Sequence, residues 1–341
     1  MSQRIAFVFP GQGSQTVGMG ADIYQASPAA RSVFDTADDA LGFSLSSLCF
    51  QGPETALRET INTQPAIVAT SLALLAALQE AAGADTASAR ALEGPLQPLF
   101  VAGHSVGEYS AVAAARALSV ADTLQLVRER GRLMHQEGLR IPSGMAAVLG
   151  MDSETLTAIC VEATSQARAA LSPEEQAVHP GAGRVVVAND NAPGQIVISG
   201  ALPALEIAME HARSGGAKRV VPLAVSGAFH SPVMAPAAEA LATAVAAAPL
   251  AAPSVPIVAN ITAVPITTDT QLREELAQQI VSPVQWTRTV EYLANHGIET
   301  FVEIGAGQVL AGLIKRIAKG KTTLSVGSAA DVAPVVERLL A

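Results

Sequence analysis

Short apolar runs that end in glycine-rich turns alternate with longer alanine-rich amphipathic segments along most of the chain. Buried strands are expected at 4–9, 99–102, 257–259 and 300–304. Helices are expected at 65–82, 106–115, 120–137, 269–280 and 308–318. Ser119 is the expected N-cap of the third helix, and Pro65 is expected in the first turn of its helix, where a missing N–H costs nothing. This alternation predicts an α/β fold, with a mostly parallel sheet covered by helices on both faces.

The rhythm changes in the middle of the chain. Strands are expected at 145–149, 185–188, 195–199 and 219–223, and helices at 153–170 and 203–214. This βαββαβ order is the split-βαβ pattern of a ferredoxin-like unit. Strand–helix alternation resumes afterwards, so we predict a discontinuous large subdomain, 1–141 and 225–341, with a small ferredoxin-like subdomain, 142–224, inserted into it. Two aperiodic stretches, 83–97 and 171–183, are predicted to be surface loops, the second with room for a helical turn.

Composition narrows the class of protein. The chain has 341 residues, 50% of them hydrophobic and 15% charged, which excludes intrinsic disorder. A formal net charge of −9 argues against a nucleic-acid binder, which needs a basic face. The apolar run before Pro10 is too short for a signal peptide, and the run at 66–78 is shorter than the ~20 residues of a membrane helix. The two cysteines lack metal-site spacing and suit a reducing cytoplasm. We expect a monomeric cytoplasmic protein that does not bind membranes.

The strongest chemical motif is GHSVG at 103–107, which directly follows an expected strand and precedes an expected helix. This is the G-x-S-x-G nucleophile elbow in its required context. Flanking glycines allow a sharp turn, so Ser105 projects its hydroxyl at a helix N-terminus, where the N–H of Val106 and the helix dipole favour negative charge. The motif therefore predicts a nucleophilic serine, the alternative being an ordinary loop serine.

Six histidines could supply the base that such a serine needs. His230 is the best placed, because it follows a strand, opens a helix and has small neighbours that permit close approach. The alternative for His230 is a turn or helix-capping histidine. His104 lies inside the elbow, and its side chain is expected to point away from that of Ser105. The others are expected on solvated helix faces or in the second loop: His135, His211, His296 and His179.

A Ser-His-Asp triad would also need an acid before the histidine in chain order. Asp152 and Asp190 are available, but neither lies at an evident strand end, which weighs against an ordinary α/β-hydrolase. The loop Gly11-Gln12-Gly13-Ser14-Gln15 departs from the dinucleotide fingerprint, because Thr16 replaces its third glycine. A loop at the carboxyl end of a strand is still a place where ligands bind.

Five ordered segments spread over nearly the whole chain resemble the acyltransferase family of fatty-acid and polyketide synthesis, which includes the malonyl-CoA:acyl carrier protein transacylases. They are FPGQGSQ at 9–15, TQPA at 63–66, GHSVGEY at 103–109, GAFHSP at 227–232 and PVQW at 283–286. The resemblance implies an α/β-hydrolase-like parallel sheet for the large subdomain. The sequence also departs from the family pattern at three positions. Val106 replaces a frequent leucine, Arg116 replaces a usual glycine, and Asp190 divides a pair of asparagines.

The resemblance also implies roles for individual residues. Ser105 would be the acylated nucleophile and His230 its general base. In place of an aspartate, the main-chain carbonyl of Gln279 would orient the histidine, which would account for the missing acid. The backbone N–H groups of Gln12 and Val106 would form the oxyanion hole.

Selectivity would rest on Arg130, which matches the arginine that grips a malonyl carboxylate. A planar guanidinium makes two parallel hydrogen bonds to a carboxylate, which lysine cannot do. From the residues alone, Arg130 could equally lie on a solvated helix face, as could Arg128 and Arg132. Phe229 resembles the malonyl-selecting form of the histidine motif, and the expected substrate-binding residues are Arg130, Gln279, Phe229 and His104.

The implied activity is ping-pong transfer of malonyl from malonyl-CoA to the phosphopantetheine thiol of an acyl carrier protein, for fatty-acid synthesis and without a bound cofactor or metal. Alternatives are a polyketide or malonate-decarboxylase carrier as acceptor, a serine esterase or thioesterase, and a non-catalytic binding protein. Acyl carrier proteins are typically acidic, so docking on a chain of charge −9 needs a local basic surface. Lys315 and Arg316, in a cluster with Lys319 and Lys321, are the candidates. The alternative for that cluster is a helix C-terminus whose cations complement the dipole.

Overall fold

Two sheets organise the protein, whose computed structural model describes residues 4–84 and 94–341. Six strands form the large sheet: β1 (Ile5–Phe9), β2 (Phe100–Gly103), β7 (Ile257–Val258), β8 (Pro265–Ile266), β9 (Thr300–Ile304) and β10 (Thr322–Val326). They lie in the order β10-β9-β1-β2-β7-β8. All neighbours are parallel except the β7–β8 pair at one edge. The mostly parallel sheet predicted from the alternation is confirmed.

The central strand β1 shows why its sequence is a continuous apolar run. All five of its residues are buried. Successive side chains of a strand point to opposite faces, and Ile5, Phe7 and Phe9 accordingly lie in the main core, whereas Ala6 and Val8 lie in a second core on the other face. A parallel strand covered on both faces has no solvent side that would select polar residues.

Seven helices precede the small sheet in the described part of the chain. They are α1 (Ala21–Ala26), α2 (Pro28–Leu41), α3 (Leu45–Gln51), α4 (Glu54–Leu57), α5 (Thr60–Ala81), α6 (Gly107–Ala114) and α7 (Val120–Gly138). Ser119 caps α7 as predicted, its side chain accepting a hydrogen bond from the N–H of Asp122. Helix α7 runs close to α5, and the two carry several residues of the site described below.

The small sheet consists of four antiparallel strands in the order β4-β5-β3-β6. These are β3 (Ser143–Leu149), β4 (Val185–Ala192), β5 (Gln195–Ala201) and β6 (Arg219–Pro222), with helices α8 (Ser153–Ala169), α9 (Pro173–Val178) and α10 (Leu202–Ser214) between them. One face packs on α8 and α10, whereas Met145 and Val197 on the other face belong to the main core. A backbone hydrogen bond joins β4 of the small sheet to the segment just before Trp286: the Asp190 N–H donates to Val284 O at 2.9 Å.

The remaining helices follow the small sheet. They are α11 (Ala235–Ala247), α12 (Asp269–Gln278), α13 (Trp286–Asn295), α14 (Val309–Ile317) and α15 (Ala329–Leu340). Short 3₁₀ turns occupy Pro232–Met234 and Gln279–Val281. The helix expected at 269–280 therefore ends earlier, and its last predicted residues form the turn that carries the Gln279 carbonyl.

Helix α5 corrects the prediction for Pro65. The helix begins at Thr60, so Pro65 lies in its interior rather than in its first turn. Proline cannot donate to the carbonyl four residues earlier, which here belongs to Ile61. Arg128 replaces the missing donor, because its Nη1 donates to Ile61 O at 2.7 Å. A tertiary contact thus allows the helix to continue through a residue that local rules place at its start.

Helix α5 is also longer than the apolar run at 66–78 that the sequence suggested. Within the described residues it is the one helix long and apolar enough to cross a membrane by length and composition alone. In this fold, 89% of its apolar window is buried inside the protein. It is the central helix of the main core.

The two predicted loops have different outcomes. Of the stretch 83–97, residues 85–93 lie outside the described residues. The stretch 171–183 contains α9, which begins with a capping box between Ser172 and Glu175. His179, expected only as part of an irregular loop, is 4% exposed, with its Nε2 2.7 Å from Glu137 Oε1. This contact ties the loop to the C-terminal end of α7.

Candidate active site

Ser105 lies in a strained turn between β2 and α6. Its φ is +52°, in the left-handed region that non-glycine residues rarely adopt. The flanking glycines are required by space: a Cβ on Gly103 would lie 2.0 Å from the carbonyl carbon of Gly107, and a Cβ on Gly107 would lie 2.2 Å from Phe9 O. The N–H of Ser105 donates to Asn260 Oδ1 at 2.7 Å, which helps to hold the turn.

His230 lies against the Ser105 hydroxyl. Its Nε2 is 2.7 Å from Ser105 Oγ, and its Nδ1 is 2.9 Å from Gln279 O and 3.1 Å from Ser282 O. Carbonyl oxygens only accept hydrogen bonds, so Nδ1 carries the proton and Nε2 is left to accept from the serine. This tautomer is the one that a general base requires.

The electrostatic surroundings keep His230 neutral. Burial and, second to it, the nearby positive charge of Arg130 together lower the pKa of this imidazole to about 3. The neutral form therefore predominates at pH 7, with Nε2 available to take a proton.

Neither acid considered from the sequence lies behind His230. Asp152 caps α8, where hydrogen bonds from Thr155 lower the pKa of its carboxyl. Asp190 accepts a hydrogen bond from Thr287 Oγ1 at 2.7 Å. The two main-chain carbonyls occupy the position that an aspartate has in a triad.

Arg130 is buried beside the nucleophile, and the solvated-face alternative for it is wrong. It is 1% exposed. Its Nη1 donates to Gln64 Oε1 at 2.6 Å, and its Nη2 lies 2.8 Å from Gln279 Oε1 and 3.3 Å from Ser105 Oγ. The guanidinium also lies 5.5 Å from the ring centroid of Tyr109.

The charge of Arg130 lacks an ionic partner. All its hydrogen-bond acceptors are neutral, and no carboxylate of residues 4–84 or 94–341 comes within ion-pair distance of it. Its Nε is buried and has no partner within the same residues. Burial lowers the pKa of Arg130, but a guanidinium remains charged in proteins. A buried cation with spare donors is a site for an anion.

A cavity of about 340 Å³ opens above Ser105, His230 and Arg130. Its other lining residues include Gln12, Val106, His104, Phe229, Asn189, Asn191, Met134, Met145 and Val197. Within the part of the chain that the structure describes, the backbone N–H groups of Gln12 and Val106 donate no hydrogen bond. Both are thus available to a ligand oxygen in the cavity.

Of the three remaining predicted substrate-binding residues, Phe229 and His104 border this cavity, whereas Gln279 is not part of its lining. Phe229 is 5% exposed and forms part of its wall. His104 makes no hydrogen bond to Ser105, but it lines the same cavity, with its Nε2 2.7 Å from Asn191 Oδ1. The side chain of Gln279 lies behind Arg130, where its Nε2 donates to Ser105 O at 3.0 Å.

Lys315 and Arg316 are exposed on α14, outside the main cavity. Arg316 donates to Gln195 Oε1 at 2.5 Å and to Pro193 O at 2.9 Å, at the turn between β4 and β5. Gln195 lines a smaller cavity of about 180 Å³ that shares Gln12 and His104 with the main one. The cluster is thus next to an extension of the site.

Three residues of the site were missed from the sequence. Gln64 and Glu108 lie in segments that carry the family resemblance, but no role was assigned to them. Asn260 had no motif to identify it. All three are buried, and Asn260 and Glu108 are joined by hydrogen bonds behind the elbow.

Across residues 4–84 and 94–341, no three His, Cys, Asp or Glu side chains are grouped so as to hold a metal ion.

The fold and the site together define an α/β enzyme of the class that presents a Ser–His pair at a nucleophile elbow. A family model described as acyl transferase domain matches residues 6–338. The chain belongs to this acyl transferase family, and it is an acyltransferase.

Similar proteins share nearly its whole length. Malonyl CoA-acyl carrier protein transacylase of Bacillus subtilis (strain 168) is 40% identical over 98% of this chain and 97% of its own. The structure of malonyl CoA-acyl carrier protein transacylase from Coxiella burnetii superposes with a TM-score of 0.87, at 35% identity over 99% of this chain and 98% of that one. A malonyl-transacylase in complex with a type II PKS acyl-carrier protein superposes equally well, with a TM-score of 0.87 and 35% identity over 98% and 100% of the two chains.

Proposed function

We propose that this acyltransferase moves a malonyl group from malonyl-CoA to the phosphopantetheine thiol of an acyl carrier protein, through a malonyl ester on Ser105. The observation that carries the proposal is the buried guanidinium of Arg130, which has neutral partners only and lies 3.3 Å from the Ser105 hydroxyl. A malonyl group ends in a carboxylate, which would supply the missing negative charge. The names of the relatives support the same substrates.

The first half-reaction acylates the serine. His230 Nε2 takes the proton as Ser105 Oγ attacks the thioester carbonyl, and the resulting oxyanion accepts hydrogen bonds from the N–H groups of Gln12 and Val106. The tetrahedral intermediate then expels the CoA sulfur, which takes the proton from His230 and leaves as a thiol. The carbonyls of Gln279 and Ser282 hold the imidazolium in place meanwhile.

The second half-reaction runs the same steps in reverse. The phosphopantetheine thiol gives its proton to His230 and attacks the malonyl ester. The new oxyanion accepts hydrogen bonds from the same two N–H groups. Ser105 Oγ leaves, recovers the proton from His230, and the malonyl thioester of the carrier is released.

Selectivity follows from the environment of Arg130. A malonyl carboxylate gains two charge-assisted hydrogen bonds, whereas an acetyl group would leave the buried cation with its spare donors unmatched. Hydrolysis, the esterase alternative, gives no reason for such a cation beside the nucleophile. Phe229 forms part of the wall of the same cavity.

The acceptor is the second part of the proposal. We expect a carrier protein of fatty-acid synthesis. A polyketide carrier is the second candidate, because one structural relative was solved with a type II PKS acyl-carrier protein. Transfer assays against purified carriers of both kinds decide between them, since the cognate carrier should show the higher kcat/KM.

Lys315 and Arg316 are the proposed docking surface for the acidic carrier. Lys315→Glu should raise the KM for the carrier severalfold and leave acylation by malonyl-CoA unchanged, because long-range attraction acts on encounter. Lys218→Glu, at an exposed residue directly before β6, is the matched charge reversal. Equal KM values for the carrier in both variants would show that the cluster only complements the dipole at the C-terminus of α14.

We further propose the subdomain division given above, 1–141 with 225–341 and the inserted 142–224. The strand order β4-β5-β3-β6, with α8 and α10 on one face, supports a ferredoxin-like unit for the insert. The cytoplasmic location and the monomeric state stay predictions. Gel filtration checks the latter.

Intact-protein mass spectrometry tests the central proposal. Incubation with malonyl-CoA should add one malonyl group to the wild type and none to Ser105→Ala. Ser110→Ala is a matched control, because Ser110 is also buried and its Oγ has no partner within the described residues. No adduct on the wild type, or an undiminished one on Ser105→Ala, would overturn the proposal.

A further inference from the structure

A buried carboxyl lies behind the elbow, on the side away from the cavity. Glu108 is fully buried on α6. Its Oε1 accepts from the backbone N–H and the Nδ2 of Asn260, each at 2.9 Å, and its Oε2 accepts from Gln279 Nε2. Every hydrogen-bond partner of this carboxyl is a donor, which is the arrangement that an ionised carboxylate satisfies fully.

The hydrogen-bond partners of Gln279 and Asn260 fix the orientation of both side-chain amides. Gln279 Nε2 donates to Glu108 and to Ser105 O, which leaves its Oε1 as the acceptor for Arg130 Nη2 at 2.8 Å. Asn260 Nδ2 donates to Gly103 O at 2.7 Å as well as to Glu108, and its Oδ1 accepts the Ser105 N–H. A reversed amide at either position would set donor against donor.

The network ends at the two groups on which the chemistry depends. Through Gln279, Glu108 determines that an oxygen rather than an NH₂ group faces Arg130. Arg130 is thereby held in place while its outward donors remain free for a substrate carboxylate.

We propose that Glu108 is a positioning residue for acyl-group selectivity, which orients the Gln279 amide so that Arg130 is aimed at the carboxylate of the acyl group. The inference rests on the proposed function, and it deepens it by adding a residue whose side chain contacts neither the substrate nor Ser105. Its carboxyl acts on Arg130 through Gln279.

The substitution Glu108→Gln tests this. Asn260 is fixed by its own partners, so the new amide turns its oxygen towards Asn260 and its NH₂ towards Gln279. Gln279 then either faces this NH₂ group with its own and loses the hydrogen bond, or reverses and presents its NH₂ to Arg130, itself only a donor. Both outcomes disturb the position of Arg130. We expect the ratio of kcat/KM for malonyl-CoA to that for acetyl-CoA to fall about 10- to 100-fold, the worth of one hydrogen bond to a charged group.

Glu303→Gln is the matched control. Glu303 is 1% exposed and accepts from the backbone N–H groups of Leu310 and Ala311 at 3.0 and 2.8 Å, away from Arg130. This variant should lose stability and keep the wild-type ratio. An equal fall of the ratio in Glu303→Gln, or an unchanged ratio in a folded Glu108→Gln, overturns the inference.

A second variant covers a failure of Glu108→Gln to fold. Gln279→Ala removes the link and keeps the main-chain carbonyl for His230, so it should lower the same ratio. An unchanged ratio there overturns the inference also. A wild type that accepts no malonyl group overturns the proposed function and this inference with it, whereas wild-type selectivity that survives in both variants overturns the inference alone.

Discussion

Arg128 and Arg130 lie two residues apart on α7, and the fold gives them opposite tasks. Arg128 is half-buried, donates to Ile61 O and to Asn62 Oδ1 at 2.7 and 2.5 Å, and lies 4.7 Å from the ring centroid of Phe43. Arg130 is 1% exposed and lies beside Ser105, with no ionic partner among the described residues. An α-helix has about 3.6 residues per turn, so side chains two positions apart point in different directions and meet different surroundings.

The difference shows what separates a structural arginine from a binding one. Arg128 completes the backbone bonding of α5 and keeps contact with water, which screens its charge. Arg130 is removed from water and bonded to neutral oxygens, so an incoming anion is its best remaining partner. Residue type does not distinguish the two arginines; burial and partner chemistry do.

Arg130→Ala is expected to have the largest effect on the acylation kinetics. It should lower kcat/KM for malonyl-CoA about 100-fold or more, because a buried charge-assisted contact is lost, while Arg128→Ala changes it less than about threefold. Steady-state acylation kinetics of the two folded variants measure this. Similar losses in both would erase the distinction between the arginines.

A smaller loss is expected for Arg130→Lys. Lysine keeps the charge but lacks the planar fork that matches two carboxylate oxygens, so kcat/KM should fall about tenfold. The same assay applies, with Arg128→Lys as its control. Full activity in Arg130→Lys would show that charge alone, without bidentate geometry, selects the acyl group.

The pH dependence of activity should also differ between variants of the two arginines. Burial and the charge of Arg130 lower the pKa of His230 to about 3, so kcat/KM for malonyl-CoA should show no inflection between pH 5 and 8 in the wild type. Activity is lost only as pH falls towards that lowered pKa. Removing the charge in Arg130→Ala should raise the pKa, whereas Arg128→Ala should leave it in place. An acid limb near pH 6.5 in the wild type would contradict the buried neutral base.

The smallest effect is on stability. Arg128→Ala leaves the Ile61 carbonyl without the donor that compensates for Pro65, which should cost ~1 kcal/mol, since water reaches this half-buried site. Thermal unfolding with and without the substitution measures it. A fall in stability together with unchanged acylation kinetics is expected. Unchanged stability would mean that solvent satisfies the carbonyl equally well.

Local sequence rules predicted much of this molecule. The strand at Thr300–Ile304 and the Ser119 cap are as expected, because a buried parallel strand and an N-cap depend on neighbouring residues. Pro65 was misplaced, because its missing hydrogen bond is compensated from α7, more than 60 positions away. Local rules have no access to such a contact.

The site divides in the same way. Ser105 and His230 were found because an elbow and a short motif mark them. Glu108, Asn260 and Gln64 act through contacts with residues distant in the chain: Asn260 reaches the Ser105 N–H across 155 positions. Such buried polar partners can be recognised only once the fold brings them together.

The central claim is that the uncompensated charge of Arg130 selects a carboxylate-bearing acyl group for Ser105. A competition measures it directly: enzyme is mixed with equal concentrations of malonyl-CoA and acetyl-CoA, and the adducts are weighed on the intact protein. The wild type and Arg128→Ala should carry malonyl almost alone, and Arg130→Ala should shift towards acetyl. The same malonyl-to-acetyl ratio in the wild type and in Arg130→Ala would contradict the account.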